Sequence, residues 1–169
     1  MKKIALLALA LALICVSFAA MAEIKIGQVD CAAHGTKCFA VITVAMDGDV
    51  IADAYIDEFQ VMGKDDAQGV PNTETVFADL YASGQVLGSK RVNNAYYSGL
   101  LKDHAGATME LADNYAAIEA FAKGKTIAEL EAAVEGKTSE EMVDAVSGAT
   151  LQDTLGYLNG IIAAAKAAQ

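Results

Sequence analysis

The apolar positions of the chain follow two periods, one early and one late. Residues 39–46, FAVITVAM, form an apolar, β-branched run. Residues 50–59, VIADAYIDEF, alternate, with Ala52, Ala54 and Ile56 on one face and Asp53, Tyr55 and Asp57 on the other. Asp47-Gly48-Asp49 lies between them, and an Asp-Gly turn joining two such runs predicts a β-hairpin. Its first strand is apolar on both faces and belongs inside a sheet, whereas the second is half exposed. Residues 60–75 read as a polar loop around Pro71, and residues 76–81 fit a short helix. Residues 87–101, LGSKRVNNAYYSGLL, follow neither period clearly.

From residue 109 the period is helical. Leu111, Tyr115, Ile118 and Ala122 form one stripe that Gly124 stops. Thr126-Ile-Ala-Glu129 is a capping box opening a second helix, with Ile127, Leu130 and Val134 inward and Gly136 at its end. Thr138-Ser-Glu-Glu141 opens a short third helix through Met142, Val143 and Val146. A last helix from Leu151 carries Leu155, Leu158 and Ile162 on one face. Gly156 and Gly160, four apart on it, would let another element approach closely. An early hairpin and late helices, without βαβ alternation, indicate an α+β fold, an antiparallel sheet packed against C-terminal helices.

The first 22 residues stand apart from this pattern. Met1-Lys2-Lys3 is a short positive start, residues 4–20 are apolar apart from Ser17, and Ala20-Met21-Ala22 is a small-x-small site before Glu23. That is the layout of a secretory signal peptide over residues 1–22, leaving one mature domain over residues 23–169. A retained membrane anchor is the rival reading, but the apolar stretch is short and ends in a good cleavage site. The expected localisation is therefore periplasmic or extracellular.

The full chain has formal charge -10, and removal of Lys2 and Lys3 leaves ten basic against 22 acidic residues, or -12. Such a surface repels nucleic acid and anionic lipid, so no nucleic-acid partner is expected. No second long apolar run would span a membrane once the leader is gone. Cys15 leaves with the leader, so two cysteines stay, Cys31 and Cys38. An even count in an oxidising compartment suggests a disulfide closing a short loop. The alternative is a metal site, since Cys31-x-x-His34-x-x-x-Cys38 has ligand-like spacing, although His104 is the only other histidine.

Familiar catalytic sets are missing. No nucleophile elbow, P-loop or Gly-rich nucleotide fingerprint occurs, and acidic pairs in a chain with 22 acids are mostly solvated surface. Residues 144–154, DAVSGATLQDT, are different. Gly148 and Ala149 let the backbone come close to a bulky group, and the helix expected from Leu151 would offer unpaired N–H groups to a phosphate. Thr150 puts a hydroxyl there. The plain alternative is a helix N-cap made by Ser147 or Thr150.

Asp144-Ala-Val-Ser147-Gly148-Ala149-Thr150 resembles the D-x-x-[S/T]-G-A-T flavinylation motif of FMN-binding domains. Such domains occur in flavoprotein subunits of sodium-translocating NADH:quinone reductases and Rnf complexes, and in exported flavoproteins of extracellular electron transfer. In that family a magnesium-dependent FAD:protein FMN transferase joins the final threonine to the FMN phosphate. The resemblance implies covalent FMN on Thr150, with Asp144, Ser147, Gly148 and Ala149 as the recognition sequence. It further implies an electron carrier, not an enzyme with its own substrate, working with a membrane or extracytoplasmic redox partner.

An internal control is present in residues 103–108, DHAGAT, which also end in Gly-Ala-Thr. There Ala105 replaces the hydroxyl and the acid is one place too close, so Thr108 is expected to be an ordinary N-cap. An FMN on Thr150 also needs a slot for its ring. Lys90 and Arg91, near Asn93, Asn94, Tyr96 and Tyr97, are candidates, because a cation near the ring's N1–O2 edge stabilises the reduced anion and a tyrosine can stack on it. A surface turn with a tyrosine in the core explains the same residues. The loop from Cys31 to Cys38, with His34 and Phe39, is a second candidate wall.

Overall fold

β2 (Cys38–Asp47) and β3 (Val50–Gly63) pair antiparallel, from Cys38 opposite Gln60 to Asp47 opposite Val50. Gly48, at φ 58°, takes the first of the two central turn positions, which is glycine's place in a type II′ turn. In this computed structural model, which describes residues 23–35, 37–72, 82–146 and 150–169, two further strands complete the sheet. They are β1 (Ile24–Cys31) and β4 (Gln85–Ser89), and the order is β1-β2-β3-β4, antiparallel throughout. The hairpin is thus the centre of the sheet, and its first strand is internal as its apolar run requires.

Among the described residues five helices follow: α1 (Asn94–Ala105), α2 (Leu111–Ala122), α3 (Ile127–Val134), α4 (Ser139–Ala145) and α5 (Thr154–Ala167). The architecture is α+β, an antiparallel sheet packed with late helices. Both capping boxes form, Thr126 with Glu129 and Thr138 with Glu141, each closing two otherwise orphaned N–H groups. Leu111, Tyr115, Ile118 and Ala122 are buried against Ala40, Ile42, Val44 and Met46 of β2 and Ile51 and Ile56 of β3 in one apolar cluster.

Several boundaries differ from the sequence reading. α2 begins at Leu111 with Glu110 as its N-cap, so Thr108, exposed two residues earlier, caps nothing. α5 begins at Thr154, because residues 151–153 make a turn in which Thr154 Oγ1 donates to the Leu151 carbonyl at 2.6 Å. β1, β4 and α1 were not evident from periodicity, and the short helix expected over 76–81 lies outside the described residues. No helix among the described residues is long and apolar enough to cross a membrane.

β3 runs beyond β4, and its bare edge is sealed by other means. Ile51 exchanges backbone hydrogen bonds with the turn after α2, donating to Lys125 at 2.9 Å and accepting from Gly124 at 2.8 Å. At Ile56 the N–H donates to Glu119 Oε1 at 2.7 Å while Arg91 Nε donates to the carbonyl. Arg91 and Glu119 are themselves an ion pair, so two side chains replace the missing neighbour strand there.

α5 packs at backbone distance on β1 and on the loop that follows it. A Cβ on Gly156 would stand 2.2 Å from the Ala33 carbonyl oxygen, and one on Gly27 of β1 would stand 2.0 Å from that of Ala164. Neither obstacle is a flexible side-chain end, so the helix or the strand must move to admit a methyl group. Gly27→Ala should therefore destabilise the fold by about 1–3 kcal/mol in urea unfolding. Gly99→Ala, on exposed α1 with open space around it, should be neutral or stabilising by up to about 1 kcal/mol. Equal midpoints for the two variants would contradict this packing.

Candidate functional site around Thr150

Of the motif, Asp144 and Thr150 are described, while Ser147, Gly148 and Ala149 lie outside the described residues. α4 carries Asp144 on an exposed face in its last turn, and Thr150 follows, half-buried, before the turn into α5. The two come together on an open groove of about 620 Å³, lined also by Glu140, Val143, Gln152 and Asp153. Three of these residues are acidic, and the described lining has neither lysine nor arginine.

Thr150 is held from the inside of the molecule. Its N–H donates to Asn114 Oδ1 at 2.5 Å, and its hydroxyl donates to the same oxygen at 3.3 Å. It does not cap α5. The N-cap is Asp153, whose side chain makes no capping bond and instead pairs with His34 Nδ1. The expectation that a helix terminus beginning at Leu151 faces a phosphate is therefore not met at Thr150. The His34–Asp153 pair does bring the loop between β1 and β2 to the rim of the groove.

Lys90 and Arg91 sit elsewhere, at the interface of sheet and helices. Lys90 is 1% exposed and forms an ion pair with Glu58, which is fully buried. Tyr157 of α5 donates to the same carboxylate at 3.0 Å, Cys38 donates to its other oxygen at 3.4 Å, and the Lys90 ammonium lies 4.4 Å from the Tyr97 ring centre. Burial works against the Lys90 charge, but Glu58 and its hydrogen bond outweigh burial and hold the ammonium above the ordinary lysine value. Arg91 pairs with Glu119 and lies over the rings of Tyr55 and Tyr115, at 4.5 and 5.2 Å. Both cations are thus committed to internal carboxylates.

The Cys31–Cys38 disulfide expected from the even cysteine count is not formed, and both thiols are free. They share the inner side of the sheet but have different neighbours. Cys31 packs beside Gly160 of α5, and Cys38 turns to Glu58. Among the described residues no three of His, Cys, Asp and Glu converge as a metal site. Burial, with Glu58 adding to it and Lys90 opposing it, pushes the Cys38 thiol up to about 11.

Two residues that periodicity had not singled out prove central, Asn114 and Glu58. Each carried a legible signal, since Asn114 lies on the buried stripe of α2 between Leu111 and Ile118, and Glu58 continues the inward series of Ala54 and Ile56. His34 and Asp153 are 119 residues apart, and no local pattern joins them. No family model matches the chain, and no curated protein or solved structure matches it either.

Two outcomes follow from this geometry. Lys90→Met leaves the Glu58 carboxylate buried without its cation and should cost about 3–5 kcal/mol in urea unfolding. Combining it with Glu58→Gln should restore most of that loss, and a Lys90→Met cost below about 1 kcal/mol would contradict a buried pair. Cys38 in the native protein should alkylate slowly at pH 8, where about 0.1% is thiolate, and roughly tenfold faster per pH unit until near its raised value. A rate already maximal at pH 8 would contradict a thiol raised by its burial beside Glu58.

Proposed function

We propose that the protein is an exported electron carrier holding one FMN by a phosphoester to Thr150, attached by an FAD:protein FMN transferase. The observation that carries this reading is the state of Thr150. It stands half-buried, its hydroxyl tied to Asn114 while the residue lines an open groove with Asp144 of the same motif. A groove of about 620 Å³ is within the usual size of a cofactor site. Its described lining has three carboxylates and neither lysine nor arginine, so an FMN phosphate there would depend on the covalent link and not on charge.

In this reading Thr150 carries the bond, and Asp144, Ser147, Gly148 and Ala149 are what the transferase recognises. FMN, when bound, supplies one- or two-electron chemistry, and the chain supplies no substrate reaction of its own. Lys90 and Arg91, the candidates for the cationic side of the ring, are held inside the protein by Glu58 and Glu119 and do not line the Thr150 groove, so either would have to leave its carboxylate to meet a ring bound there. The leader over residues 1–22 would deliver the protein to the periplasm or the cell exterior. There it would pass electrons between a membrane donor and an extracytoplasmic acceptor. The alternative, a non-flavin periplasmic binding or structural module in which the motif is only a helix cap, is weakened because Asp153 occupies the cap position of α5.

The test is coexpression of the mature chain with a flavin transferase, followed by a denaturing gel viewed under ultraviolet light. A fluorescent band is expected for the wild type and for Thr108→Val, and none for Thr150→Val. No flavin on the wild type, or equal loss in both variants, would overturn the assignment.

A further inference from the structure

We infer that Asn114 is the positioning residue that prepares Thr150 for flavin transfer, an inference that rests on the reading of Thr150 as the acceptor. Asn114 is fully buried on α2, at a stripe position where leucine would satisfy packing. Burying a carboxamide is costly unless all its groups are paired. Here they are. Its Nδ2 donates to the carbonyls of Glu110, at 3.0 Å, and Met109, at 3.3 Å. Those two acceptors fix the amide orientation, so Oδ1 must face the other way, toward Thr150.

That one oxygen receives both donors of Thr150, the backbone N–H and the hydroxyl. Two bonds to one residue fix both its backbone position and the rotamer that carries Oγ1. Leu151, buried immediately after it, holds the chain from the other side. The hydroxyl hydrogen is thereby turned to Asn114, and Thr150 lines the groove from which a phosphorus centre would arrive. In the transfer, the Thr150 Oγ1–P bond forms and a P–O bond of the FAD pyrophosphate breaks. AMP leaves, and the hydroxyl proton passes to a base of the transferase or to solvent. An amide cannot take that proton, so Asn114 contributes aim alone. Misplacement of a reacting atom by about 1 Å costs on the order of a hundredfold in rate.

The test compares Asn114→Asp, which keeps an acceptor oxygen, with Asn114→Leu, which fills the space without one. Purified flavin-free mature chain is mixed with FAD, magnesium and transferase, and initial rates are read at saturating chain concentration. Asn114→Leu should transfer at least about tenfold more slowly than wild type, and Asn114→Asp within about threefold. This order should hold even though Asn114→Asp, with a buried carboxylate, is the less stable variant in urea. Hydrogen exchange at the Thr150 amide, read without any flavin, should be slow in wild type and Asn114→Asp and fast in Asn114→Leu. Transfer at the wild-type rate in Asn114→Leu, or rates that merely follow stability, would overturn the role. So would a wild-type Thr150 amide that exchanges as fast as in Asn114→Leu. A wild-type chain that accepts no flavin, yet protects its Thr150 amide, would overturn the acceptor reading instead and the inference with it.

Discussion

The backbone contact of α5 with β1 and the loop after it is the constraint on which the rest of the molecule depends. Gly27 and Gly156 let strand, loop and helix touch with no side chain between them. That contact fixes the height and direction of α5, and with them the position of everything just before it. The turn at residues 151–153 then has little freedom. Asp153 meets His34, Leu151 is buried, and Thr150 arrives opposite Asn114. The proposed acceptor is therefore placed by packing at both ends of the sheet–helix contact.

A second set of constraints keeps the polar interior in order. Glu58 gathers a lysine, a tyrosine and a thiol, while Arg91 and Glu119 close the edge of β3. Buried charge of this kind adds little net stability compared with apolar packing, but it is unforgiving of partial removal. It ties β2, β3, α2, α5 and the turn after β4 to one arrangement, since each contributes at least one member to a network in which no buried polar side-chain atom is left without a partner among the described residues. Lys90 and Arg91, conspicuous in an acidic chain, are explained first by this work.

Much of the fold was legible because its periods were clean. The hairpin around Gly48, both capping boxes and the buried stripes of α2 and α5 follow directly from residue spacing. β1 was not legible, because Ile24 and Ile26, its most apolar residues, face outward at 52% and 62% exposure while Gly27 faces the core. β4 is only five residues long, and none of α1 is buried, so neither shows a strong apolar stripe. At the site, the motif and Thr150, the proposed acceptor, stood out as a local pattern. The contacts that hold Thr150 did not, because Asn114, His34 and Asp153 meet only through the tertiary fold. The cysteine count failed for a similar reason: parity says that two thiols could pair, whereas their neighbours in the fold turn Cys38 to Glu58.

The central claim is a covalent bond at one oxygen, and the intact mass of the protein purified from its native source tests it most directly. A chain beginning at Glu23 is expected, its mass exceeding that of the bare sequence by one FMN less one water, with the addition mapping to the peptide containing Thr150. A mass equal to the bare chain, or a flavin mapped to another residue, would contradict it.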